Sequence, residues 1–335
     1  MAMATGAAST PSDLVADAPA ASPDAAPDAP GLGARAERPG AAAGSGRPAA
    51  ELPPHLRPHL HADGTVAPVL VTDFDVAEYT RTAPGRLPLD HAALAADPGG
   101  LDEADLRRDL AFLHRLQSSA LAEARSMLST WTGNEARITA FLATWLYERH
   151  WAAAALAELL EATGPMPAVP ASDGAALSAR RLGTRARALY AARALPVLAP
   201  LWTGTLGENV TAGHMARMAI LESSLAAAHR ALLPRTRGEA RRALEQLLER
   251  TGPARRFFRL EAHARLTRSR AEALTARAML ALAGPVWRPV GVADPAEHAA
   301  LTSILSSPES RAEVRRAHED VTRLLPGPRP RVPMR

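Results

Sequence analysis

From about residue 102 onward, apolar residues recur every three or four positions, the period of an amphipathic helix. The first predicted helix covers about 102–131 and opens with Asp102, Glu103 and Asp105, suited to the positive end of a helix dipole. Its apolar line runs through Leu106, Leu110, Leu113, Ala120, Ala124, Met127 and Trp131, and Gln117 falls on it. The second, about 134–163, is apolar on most sides through Ile138, Phe141, Leu142, Trp145, Leu146, Trp151, Leu156, Leu159 and Leu160. That pattern predicts a helix in the middle of a bundle. Further helices are predicted over about 175–195, 208–233, 237–251, 254–282, 294–305 and 308–324, with stops at Pro196, Pro234 and Thr251-Gly252-Pro253. The fold class is all-α, a bundle of four long helices with extra helices.

Ahead of the bundle the pattern fades. Residues 1–50 hold Ala, Pro, Gly, Ser and Asp with almost no large apolar side chain. Such a segment buries too little surface to offset its ordering entropy, so a disordered N-terminal tail is expected. Residues 51–101 are proline-rich, with one β-like run, VAPVLVTDFDV, and read as an irregular arm over the domain. The helical domain spans 102–325, and 326–335 reads as a flexible C-terminal tail.

Composition removes several chemistries. The 335 residues include no cysteine, which excludes disulfides, thiolate metal sites and a cysteine nucleophile. No lysine occurs either, so all 39 basic residues are arginine, and Schiff-base or P-loop lysine chemistry is absent. Arginine hardly titrates, which explains a pI near 10.4 at a net charge of only +4. No Gly-rich phosphate loop or Gly-x-Ser-x-Gly elbow appears. The N-terminus lacks the basic and apolar regions of a secretory signal, and no run of about 18 apolar residues predicts a membrane span, so the expected location is cytoplasmic.

Candidate chemistry lies where polar residues interrupt the apolar lines. Gln117, His150, Glu222, His229 and His263 do so on the long helices. Buried polar groups are costly unless paired or ligated, and bundle cores hold metals with inward carboxylates and histidines. The stretches WLYERHW, LESSLAAAHR and FRLEAHARL, followed by GPVWRPVG, resemble in order and spacing the ferritin-like superfamily, specifically the acyl-carrier-protein desaturases. The resemblance covers roughly 100–290. It implies a di-iron centre held by two Glu-x-x-His motifs and further carboxylates, acting on an acyl chain borne by an acidic carrier protein.

This chain departs from that pattern. The first carboxylate position holds Gln117, the Glu position of the first motif holds Tyr147, and that of the second holds Leu260. His150, Glu222 and His263 remain. Both motifs now read Glu-x-His, as Glu148 with His150 and Glu261 with His263. Positions i and i+2 point about 200° apart on a helix, so one member of each pair can reach the core, not both. Three readings stay open. His150, Glu222 and His263 hold one iron as a two-histidine, one-carboxylate triad, with Tyr147 as a redox group and Gln117, Glu148, His229 and Glu261 as supporting or alternative ligands. Or no metal is bound, and these residues hydrogen-bond one another in the core. Or they are scattered polar positions and the resemblance is accidental.

Arginine supplies the competing function class. Between 174 and 275 there are 18 Arg, 7 Glu and no Asp. Arg180, Arg181, Arg185 and Arg187 form one group, Arg235, Arg237, Arg241 and Arg242 a second, and Arg255, Arg256 and Arg259 a third. Such a face suits an acidic partner. The desaturase resemblance implies an acidic carrier protein. Single-stranded nucleic acid would need aromatics among the arginines, and only Phe257 and Phe258 qualify, both reading as core, so nucleic acid is not expected. A homodimer is compatible with the same bundle. The sequence therefore leaves an iron-dependent oxidoreductase and a catalytically inactive helical interaction module as alternatives.

Overall fold

The computed structural model describes residues 70–167, 206–282, 286–287 and 295–328. The predicted helix over 175–195, with Arg180, Arg181, Arg185 and Arg187, lies outside the described residues, as do the tail over 1–50 and the tail's counterpart over 329–335. All regular secondary structure among the described residues is helical: α1 (Val76–Thr82), α2 (His91–Ala96), α3 (Ala104–Ser118), α4 (Ala120–Leu128), α5 (Ala136–Glu161), α6 (Val210–Leu232), α7 (Gly238–Arg268), α8 (Arg270–Leu282), α9 (Pro295–Ile304) and α10 (Pro308–Thr322). No helix among them is long and apolar enough to cross a membrane.

The proline-rich arm is more regular than its composition predicts. Its β-like run forms no strand over residues 70–76, and two short helices follow. Each has an aspartate cap: Asp75 accepts from the Glu78 amide at 2.8 Å, and Asp90 from the Ala93 amide at 2.9 Å. Leu70, Tyr79, Leu87, Leu94 and Leu101 anchor this arm by burial.

Two predicted helix boundaries move. The first helix divides at Ser119, where Ser118 Oγ donates to the His114 carbonyl and Ser119 Oγ to the Leu116 carbonyl. Serine hydroxyls bonding back to the backbone compete with helix continuation. The expected stop at Thr251-Gly252-Pro253 does not occur, and α7 runs through Pro253. A mid-helix proline costs about 3 kcal/mol. Pro253 is exposed, and burial of Leu247, Ala254, Phe257 and Phe258 on either side of it holds the helix together. The break comes at Ser269, whose extended backbone separates α7 from α8.

The helix enclosed on nearly all sides is α6, not α5. Eighteen of the 23 residues of α6 are buried, against 12 of 26 in α5. Ala212, Gly213, Ala216, Ala219 and Ala226 to Ala228 keep α6 thin enough for α7, α8 and α10 to pack around it. α3 packs on α5, and α9 on α3. Few aromatics are present, yet Phe74, Tyr79, Phe141, Trp145, Phe257 and Phe258 form one cluster joining arm, α5 and α7. Its centre is the Phe141–Phe257 pair, stacked at 3.6 Å.

Candidate functional site

His150, Glu222 and His263 do not meet. His150 and His263 are exposed on α5 and α7, and the His150 ring lies against Trp151 at 5.2 Å. Glu222 is 1% exposed inside the bundle. The helical argument explains the split. In each Glu-x-His pair the glutamate turns inward, Glu148 and Glu261 being buried, so the histidine two residues on turns outward. Tyr147 is also on the surface, its phenol resting on the backbone of Gly85, where a Cβ would lie 2.5 Å from the hydroxyl oxygen. Among the described residues no three His, Cys, Asp or Glu gather as metal ligands. The predicted triad therefore does not converge on one point, and Tyr147 lies on the surface, away from Glu222.

In the core, Glu222 faces a cation of the chain's own. Trp145 Nε1 donates to Glu222 Oε1 at 3.0 Å, and the Arg149 guanidinium lies 3.8 Å from the same oxygen. Arg149 is 5% exposed, donates to the Leu116 carbonyl at 2.9 Å and sits over the Trp145 ring at 5.5 Å. Burial pulls its pKa down, and Glu222, then Glu123 and Tyr79, oppose that fall. Tyr79 is pushed up, first by burial and then by Glu148 and Glu222. Sequence reasoning overlooked Arg149, although it continues the inward line of Leu142 and Trp145.

The remaining candidates serve the interior in separate ways. Gln117 is buried next to the Arg149-bonded carbonyl, and its Oε1 has no partner among the described residues. Glu148 accepts from the Gly85 amide at 3.3 Å; burial raises its pKa, while that amide and Arg250 oppose the rise. Glu261 accepts from Thr72 Oγ1 at 3.0 Å and from Arg137, and Arg265 lies 3.5 Å away. Arg265 continues the network to Glu135 and Glu272. Another buried carboxylate, Asp109, joins Arg108, Arg235 and Ser303 at 2.6 to 2.8 Å and ties α3 to α9.

His229 is fully buried on α6, with Nδ1 2.9 Å from the Leu225 carbonyl. Burial, more than any other cause, pushes its pKa down to about 4. The unfolded chain, with a histidine pKa near 6.5, binds the extra proton first, so stability is complete above about pH 6.5 and falls as pH drops toward about 4. From pH 7 to pH 5 this one group is expected to remove about 2 kcal/mol. Denaturant titrations at both pH values check this: His229→Gln should lose that much less than the wild type on acidification. An equal loss in both proteins would place the acid response on other groups, such as His214 and His318, also held near 4 by burial.

The basic groups differ in their neutralisation. Arg235, Arg237, Arg241 and Arg242 pair with Asp109, Asp97, Glu245 and Glu239. Arg255 and Arg259, one turn apart on α7, have no hydrogen bond or ion pair with any described residue. Arg255 is half-buried, and its pKa is depressed by burial and by neighbouring Arg230 and Arg259, with Glu222 and Glu313 opposing the fall. Arg230 is itself bonded to Glu313 at 2.9 Å. No protein-family model, curated protein or solved structure matches the chain, so the ferritin-like resemblance rests on its motif residues alone.

Proposed function

We propose that this chain is a helical interaction module that binds an acidic partner through its arginine-rich face, rather than an iron-dependent oxidoreductase. The carrying observation is Arg255: a half-buried guanidinium beside two others, with no carboxylate in ion-pair contact among the described residues, Glu222 and Glu313 acting on it only from further off. An incoming carboxylate or phosphate would relieve that repulsion and lose less hydration than at a fully exposed site. The acidic carrier protein implied by the desaturase resemblance has this chemistry. The opposing reading would need Glu222 as an iron ligand, and Glu222 already has Trp145 and Arg149 as partners.

The probe is a fluorescent oligoglutamate peptide, followed by anisotropy at about 0.1 M salt. Arg255→Glu/Arg259→Glu should weaken binding at least about tenfold, and high salt should weaken the wild type. Arg241→Glu/Arg242→Glu makes the same charge change at neutralised arginines and should weaken it less than about threefold. Equal losses in the two doubles would reduce the effect to net charge. Stoichiometric iron in the wild type that disappears in Glu222→Ala would restore the oxidoreductase reading.

A further inference from the structure

A cleft of about 140 Å³ opens between α4, α6 and α8, lined by Glu123, Met127, His214, Met218, Met279 and Leu280, among others. Three of the chain's eight methionines meet there. Thioethers are soft and adaptable, and they make favourable contacts with aromatic ring edges. Gly213 leaves room for one of them: a Cβ at that position would collide with the Met279 sulfur. On the polar wall, Glu123 pairs with Arg217 at 3.6 Å.

The one directed polar group is His214. Thr132 Oγ1 donates to Thr211 Oγ1 at 3.2 Å, so it meets His214 Nδ1, 2.8 Å away, as an acceptor. In that arrangement the ring proton sits on Nδ1 and Nε2 is a lone-pair acceptor, with no bond from any described residue. Burial, then Arg217, push the His214 pKa down to about 4, so the ring is neutral at ordinary pH. The cleft thus combines a sulfur-rich apolar wall with a polar side of Glu123, Ser126, Arg217 and His214, on which the His214 ring is the neutral acceptor. An apolar cavity of about 150 Å³ is large enough to take up benzene.

We propose that this cleft binds a compact aromatic ligand carrying one hydrogen-bond donor, of the size and chemistry of phenol, its hydroxyl donating to His214 Nε2 and its ring lying against Met127, Met218 and Met279. The test titrates the full chain, labelled at its methionine methyls, with phenol and separately with benzene, read by NMR. Phenol should shift the Met127, Met218 and Met279 methyls saturably and bind about 5–10-fold more tightly than benzene, the factor one hydrogen bond supplies. In His214→Leu that preference should fall to within about twofold. Met279→Phe, at a partly exposed position, should fill the cleft and abolish both titrations, with the unshifted methyl of a core methionine such as Met215 reporting that the bundle is intact. The proposal is overturned by non-saturable shifts, by equal phenol and benzene affinities in the wild type, or by undiminished phenol binding in Met279→Phe.

Discussion

Arg149→Met lowers the stability of the protein by about 3–5 kcal/mol, the expected loss when one partner of a buried ion pair is removed. Methionine occupies similar volume, so the loss comes from charge rather than from a cavity. Glu222 is left 1% exposed, with Trp145 Nε1 its one remaining close donor. The Leu116 carbonyl also loses its guanidinium donor. Adding Glu222→Gln to Arg149→Met removes the orphaned charge and keeps an acceptor for Trp145, and should recover most of the loss. Urea unfolding of the two variants measures both steps. A single-variant loss below about 1 kcal/mol would mean that Glu222 reaches water or a proton, and the pairing described above would fail.

Glu261→Ala is expected to cost about 3 kcal/mol and to act at a distance along the chain. Its carboxylate joins Thr72, Arg137 and Arg265, groups from the arm, α5 and α7. Arg265 keeps Glu135 and Glu272, and Arg137 keeps its bond to the Phe74 carbonyl at 2.8 Å, so the network shrinks without collapsing. What is lost is the acceptor of the Thr72 hydroxyl, just before α1, leaving that residue held by Arg137 alone among the described residues, at 3.0 Å to its Oγ1 and 3.3 Å to its carbonyl. Amide exchange should therefore accelerate over residues 70–82 more than in the core of α6. Uniform acceleration over the whole domain would contradict a local anchoring role.

Helical periodicity carries the existence of α5, α6 and α10 in the sequence, and it carries the orientation of each Glu-x-His pair as well. Two residues are about 200° of helix, so one member had to face out. Which member did so was not legible, because it depends on what lies opposite. Arg137 and Thr72 wait for Glu261, and nothing at its sequence position announces them. The same limit hid the role of Arg149. Its place on the line of Leu142 and Trp145 was readable, but a cation there has a meaning only once Glu222 of α6 is known to face it. Of the two misplaced boundaries one is also a tertiary effect. Pro253 is a strong local stop that burial of Phe257 and Phe258 overrides, whereas the break at Ser119 is local, from Ser118 and Ser119 hydroxyls bonding back to the backbone.

The thin central helix has a consequence for how this chain can change over time. At its seven alanines, Gly213 and two serines α6 has almost nothing to trim, whereas shortening Met215, Ile220, Leu221 or Leu225 would leave a cavity. Enlarging the small residues is no easier, since extra methylenes in a closely packed core displace their neighbours. At Gly213 even one carbon would run into Met279. Both directions of drift are therefore closed along α6, growth at its small residues and shrinkage at its large ones. Variation should instead collect on the outer faces of α5 and α7, where Tyr147, His150 and His263 already stand in solvent.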